Sequence, residues 1–209
     1  MNRLILVLTI GLFACNSVTD KSKSASGKSV SKDSLSLTES QNFETPNQIQ
    51  NKNCVRGKAE PIINKTVYSK TTFVLQPDSL SGVETVTFDN GDKLTIKNWG
   101  CEYYVLTFRF ETSRFQRDTT DLKYWFKTAT GLVTEIFNGV DSPIDIKKGI
   151  TQLSNHFDSD QPTNFRNLKL GDEIDFGGNE IREFVSVDRI EKLTDKKYAV
   201  EISFATGPL

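Results

Sequence analysis

Val83-Glu84-Thr85-Val86-Thr87-Phe88-Asp89-Asn90-Gly91-Asp92-Lys93-Leu94-Thr95-Ile96 decides the class of fold. Apolar and polar residues alternate on both sides of Asn90-Gly91, a pair whose members both tolerate positive φ, so the stretch predicts a β-hairpin. Downstream, Glu102 to Glu111 is the longest strand candidate. Tyr104, Leu106, Phe108 and Phe110 fall on one face, and Tyr103, Thr107, Arg109 and Glu111 on the other. Upstream, Thr71 to Leu75 is a short β-rich run closed off by Pro77.

The period then changes. Leu122, Trp125, Phe126, Ala129, Leu132, Val133, Ile136, Phe137 and Val140 follow helical spacing across Asp121 to Val140. Asp118, Thr119 and Thr120 offer a cap, with Asp121 in the first turn. Gly131 weakens the middle of this helix by about 1 kcal/mol relative to Ala. Ser142 as cap, Pro143 at the first helical position and Asp145 in the first turn predict a second helix, whose apolar face is Ile146, Ile150 and Leu153.

From Phe157 to Asn164 the chain reads as a polar loop. Strands return at Leu168 to Leu170, Glu173 to Phe176, Glu183 to Leu193 and Tyr198 to Phe204, with turns at Gly171-Asp172, Gly177-Gly178-Asn179 and Thr194 to Lys197. The expectation is an α+β fold: an antiparallel sheet with two helices inserted between N-terminal and C-terminal strands.

Outside this region the composition is different. Asn16 to Asn53 contains nine serines, several lysines and few bulky apolar residues, with no sustained period. Such a segment buries too little surface to offset its ordering entropy and reads as a disordered tether. At the N-terminus Met1-Asn2-Arg3 precedes an almost wholly apolar run, then Leu12-Phe13-Ala14-Cys15. This tetrapeptide resembles the lipobox of bacterial lipoproteins, although Phe13 is bulkier than the residue usual there. The resemblance covers the leader alone. It implies cleavage before Cys15, diacylglycerol on the Cys15 sulfur and acylation of the new amino group.

The apolar run is about half of the ~20 residues that a spanning helix needs, so lipid would hold the chain to the membrane. Asn16 lacks the Asp that resembles an inner-membrane retention signal, which points to the outer membrane, facing the periplasm. The organisation expected is a signal peptide over 1–14, a lipidated cysteine and tether over 15–53, and one globular domain over 54–209. An exported chain with two remaining cysteines, Cys54 and Cys101, is expected to join them in a disulfide.

Function is less legible. A formal net charge of −1, with no basic stripe, argues against nucleic acid as a partner. A Ser-His-acid relay would have to recruit His156, the single histidine, which stands near a helix end beside Asp158 and Asp160. Those two acids could hold calcium, but they lack the further ligands, Gly and closing Glu of an EF-hand loop. Cys and His are too few for the usual zinc set. Asp175-Phe176-Gly177 looks like the magnesium triplet of protein kinases, without the rest of that signature. No P-loop or dinucleotide fingerprint is present, and nothing calls for a cofactor or metal.

Asp33-Ser34-Leu35, Asp78-Ser79-Leu80 and Asp118-Thr119-Thr120 resemble a short O-glycosylation motif, with Ser34, in the tether, the most accessible acceptor. The charged cluster around Arg109, Glu111, Arg114, Arg117 and Asp118 reads as solvated salt bridges or as a partner-binding rim, for which Tyr103, Arg109, Arg114 and Arg117 are the candidate anchors. The expectation is a lipid-anchored, non-catalytic binding module with an envelope protein or glycan as partner. The alternatives are an envelope hydrolase with paired carboxylates and an inhibitor of a lytic enzyme.

Overall fold

The computed structural model describes residues 54–158, 168–178 and 180–208. The leader, Cys15, the tether with Ser34, and Asp160 lie outside the described residues, as does Asn179 of the expected turn. Seven strands form one antiparallel sheet: β1 (Thr71–Leu75), β2 (Gly82–Thr87), β3 (Lys93–Trp99), β4 (Tyr104–Thr112), β5 (Ile174–Asp175), β6 (Arg182–Lys192) and β7 (Tyr198–Gly207). Their spatial order is β1-β2-β3-β4-β7-β6-β5, so the last strand occupies an interior place beside β4. Between β4 and β5 run α1 (Leu122–Ile136), a 3-10 turn (Phe137–Gly139) and α2 (Ile146–Asp158). The architecture is broadly α+β.

The β2–β3 hairpin forms around the quoted stretch, with Thr87 opposite Lys93. Its loop is longer than a two-residue turn. Phe88 N–H donates to Asp92 O at 3.0 Å and Gly91 N–H to Phe88 O at 3.1 Å. Only Gly91 takes positive φ, 85°, where a side chain would be strained. The Asn90 side chain instead accepts from Asp92 N–H at 2.9 Å, the local bond that makes Asn a turn former.

Register explains the core. Leu94 pairs with Phe110 and Ile96 with Phe108; Phe108 in turn pairs with Ile202, and Leu106 with Phe204. All of these side chains are buried on the face that carries the helices. Full burial of each contributes about 1.5–3 kcal/mol. α1 buries Trp125, Phe126, Ala129, Leu132, Val133 and Ile136. α2 can lie close to β7 because Gly149 has no side chain: a Cβ there would stand 2.8 Å from the Phe204 ring and 2.9 Å from Phe176.

Several boundaries differ from expectation. Asp121, not Asp118 to Thr120, caps α1, its carboxylate accepting from Tyr124 N–H at 3.2 Å. Asp118 instead binds Thr120 N–H at 2.9 Å, making a separate turn before the helix. α2 begins at Ile146, beyond Ser142-Pro143, and Asp145 accepts from Lys148 N–H at 2.9 Å. Phe157 is no loop residue; it is buried at the end of α2, one more turn of the same apolar face. Gly131 interrupts nothing: the helix runs through it, and open space surrounds it. Leu168 to Leu170 is not a strand, and β5 keeps only two residues of the expected Glu173 to Phe176.

Residues preceding β1 complete the helix-bearing layer. Ile63 bridges to Val140, and Asp141 N–H donates to Ile62 O at 2.7 Å. Glu84, on the inward face of β2, is buried and accepts from Ile62 N–H at 2.7 Å and from Ile63 N–H. Burial pushes its carboxyl above the usual range, and these two backbone donors pull it back. The Cys54–Cys101 disulfide is present, with Cα atoms 5.1 Å apart, and ties the start of the domain to the β3–β4 loop. Among the described residues no helix is long and apolar enough to cross a membrane.

Candidate functional site: an aromatic groove on the open face of the sheet

Strand alternation leaves one sheet face without helices. Trp99, Val105 and Phe184 point to that face because their neighbours Asn98, Leu106 and Val185 point to the core. Across the ends of β3, β4 and β6, with β7 between the last two, these residues line a groove of about 660 Å³ with Tyr103, Cys101, Glu102, Glu173 and Arg182. That volume is in the usual range for ligand clefts, ~300–1,000 Å³.

Each ring is held in place. Trp99 Nε1–H donates to Thr107 Oγ1 at 3.1 Å, and Lys97 Nζ lies 4.9 Å from the Trp99 ring. Tyr103 and Phe184 pack edge to face with centroids 6.2 Å apart. Arg182 stacks its guanidinium 4.7 Å over Phe184. It also donates to Asp175 at 2.7 Å and to Glu173 at 2.6 Å. These two carboxylates raise the Arg182 pKa further, so the cation is permanent. The disulfide fixes the loop that carries Glu102 and Tyr103. Trp99 remains 39% exposed, enough to offer ring surface to a ligand. The arrangement provides flat apolar walls with a charged rim, suited to stacking against a sugar ring or an apolar side chain.

Further along the same face a polar chain crosses three strands. Thr107 Oγ1 and Ser203 Oγ lie 2.9 Å apart, Ser203 Oγ–H donates to Asp188, and Ser186 Oγ–H donates to the other Asp188 oxygen at 2.6 Å. Burial raises the Asp188 pKa, the two hydroxyls lower it, and the charges of Glu201 and Glu173 raise it. His156 sits half-buried in the last turn of α2, a helix packed on the opposite face. The serine–carboxylate pair therefore lacks the imidazole that would make the hydroxyl a nucleophile. Among the described residues no group of His, Cys, Asp and Glu could hold a metal ion.

The four partner-binding candidates occupy different places. Tyr103 precedes β4, in a bend rather than in the strand, and belongs to the groove. Arg109 is on the open face, bonded to Glu201 at 2.5 Å and to Glu191 at 3.1 Å. Arg114 binds Asp92 at 2.6 Å and reaches Glu135 of α1 at 3.0 Å, on the helix-bearing side. Arg117 pairs with Asp121 at 3.0 Å and lies over the Tyr124 ring. Sequence reasoning missed Trp99, Arg182 and Phe184. The hairpin's second strand was expected to end at Ile96, and the alternation Leu94, Ile96, Asn98 hid the outward Trp99 behind a polar core residue.

No protein-family model, curated protein or solved structure matches this chain.

Proposed function

We propose that this chain is a lipid-anchored envelope protein whose domain acts as a non-catalytic binding module, taking an envelope glycan into the Trp99–Tyr103–Phe184 groove. The observation that carries the reading is the groove itself: three aromatic rings of fixed orientation, one of them well exposed, beside Glu102, Glu173 and Arg182. Sugars present apolar C–H faces and equatorial hydroxyls, and such a surface meets both. Lipid on Cys15, a tether over 16–53 and an α+β domain with its helix pair between two groups of strands would place this groove away from the outer-membrane surface, in the periplasm. Tyr103 serves as an anchor, while Arg109 is on the same sheet face but outside the groove lining, engaged by Glu201 and Glu191. Arg114 and Arg117 steady their own elements.

The test is co-sedimentation of the full chain in detergent with insoluble envelope glycan. Trp99→Ala should lower the apparent affinity at least tenfold, since central aromatic anchors dominate binding, while His156→Ala should leave it unchanged. Equal capture by a folded Trp99→Ala protein would sink the groove. Capture of an envelope protein through the groove, with no glycan retained, would replace the glycan by a protein partner. Turnover of the glycan, lost on changing one carboxylate, would replace the binding module by a hydrolase.

A further inference from the structure

The segment before β1 carries a cation that the fold leaves incompletely satisfied. Arg56 is 8% exposed, and its guanidinium lies 4.7 Å over the Tyr104 ring. Nη2 donates to Asn98 Oδ1 at 2.6 Å. Nε and Nη1 have no acceptor. Guanidinium donors are almost always matched when buried, because each loses its hydration without replacement. Burial lowers the Arg56 pKa, yet an arginine stays charged, so the deficit is one of acceptors.

This side chain lines a recess of about 460 Å³ on the helix-bearing side, across the sheet from the aromatic groove. Lys58, Glu60, Asn98, Tyr104 and Asp141 share the lining. Lys58, Glu60 and Asp141 are exposed, and no ion pair engages them among the described residues. The lining thus combines two cations with two carboxylates and is neutral overall. A multiply charged anion such as phosphate would meet the repulsion of both acids. A molecule carrying one carboxylate and one ammonium would be matched at each end.

We propose that this recess is a binding site for a small zwitterion, a free α-amino acid or a dipeptide, whose carboxylate takes the orphaned donors of Arg56 and whose ammonium faces Asp141 and Glu60. Entry requires the guanidinium to turn toward the recess, and the missing acceptors favour that movement once a carboxylate is present. Asn98 and the Tyr104 ring position the cation in the unliganded protein. The site is separate from the aromatic groove, so either assignment can fail without the other.

The test is calorimetric titration of the full chain in detergent with alanine, alanyl-alanine, acetate, methylammonium and inorganic phosphate. Saturable binding of alanine or alanyl-alanine, at least tenfold tighter than acetate, methylammonium or phosphate, is the expected result. Which of the two zwitterions binds tighter distinguishes a free amino acid from a peptide. Arg56→Lys should weaken that binding at least tenfold. Because Arg56 is buried and its replacement can disrupt folding, Asp141→Asn provides the second arm: it should reduce the preference for zwitterion over acetate several-fold, while Trp99→Ala leaves that preference unchanged. No saturable binding by either zwitterion, a phosphate affinity equal to theirs, or a preference unaltered in Asp141→Asn would overturn the assignment.

Discussion

Ser203 on β7 donates its hydroxyl proton to the carboxylate of Asp188, the residue at which the β6–β7 register shifts. Alternation puts Asp188 with Ser186 on the open face, beside two hydroxyls, and the bulge turns Arg189 outward to pair with Glu201 where the next core residue would otherwise fall. Burial raises the Asp188 pKa. The folded protein therefore holds the Asp188 proton more tightly than the unfolded chain does, and this group's contribution to stability grows as pH falls through the raised value and levels off below the unfolded value of about 3.9. Replacing it by the neutral isostere removes that dependence. The unfolding midpoint of wild type relative to Asp188→Asn should rise as pH is lowered across this window. A difference that stays flat from neutral to mildly acidic pH would show that Asp188 titrates normally.

Arg114 and Arg117 make a controlled pair. Arg114 is bonded to Asp92, which is only 7% exposed. Arg117 pairs with Asp121, and both of those partners are well exposed. Removing Arg114 strands a buried carboxylate, whereas removing Arg117 leaves one in water. Arg114→Ala should cost about 1–3 kcal/mol and Arg117→Ala no more than about 0.5 kcal/mol, measured by urea unfolding. Equal effects would mean that Asp92 gains water in the variant.

The disulfide closes a separation of 47 residues. On the chain-entropy argument, its loss should destabilise the domain by up to about 4 kcal/mol. Native unreduced protein should give no alkylation of Cys54 or Cys101, and reduction should lower the unfolding midpoint. Full alkylation without reductant would show that the bridge does not form in solution.

Lipidation is tested by Cys15→Ala. The variant should take up no labelled fatty acid and should partition into the aqueous phase of a detergent extract, because one modified cysteine supplies the proposed membrane anchor. Label retained on the variant would end the lipoprotein reading.

The antiparallel sheet and its two helices were legible because each signal is local. Leu94, Ile96, Phe108 and Phe110 alternate within their own strands, and Trp125, Ala129, Leu132 and Ile136 repeat at helical spacing. Helix starts were less legible. Several residues before each helix can cap, and the choice of Asp121 over Asp118 depends on how the chain arrives from β4. The groove could not be read because it joins the β3–β4 pair to β6, far along the sequence: Phe184 meets Tyr103 only once β7 has entered between β4 and β6. Arg56 gave no signal either. A single arginine in an irregular segment acquires meaning only from the Asn98 and Tyr104 side chains that fold over it.

The interior place of β7 has a consequence for how this protein is made. Until Tyr198–Gly207 has left the ribosome, β4 and β6 have no strand between them, and the hydrophobic centre built on Val200, Ile202 and Phe204 does not exist. Contacts this distant in sequence form late, after the entropy of closing the long intervening loop has been overcome. β7 is thus the last of the seven strands to be made, and the two parts of the sheet, β1 to β4 and β5 with β6, can be joined only after it.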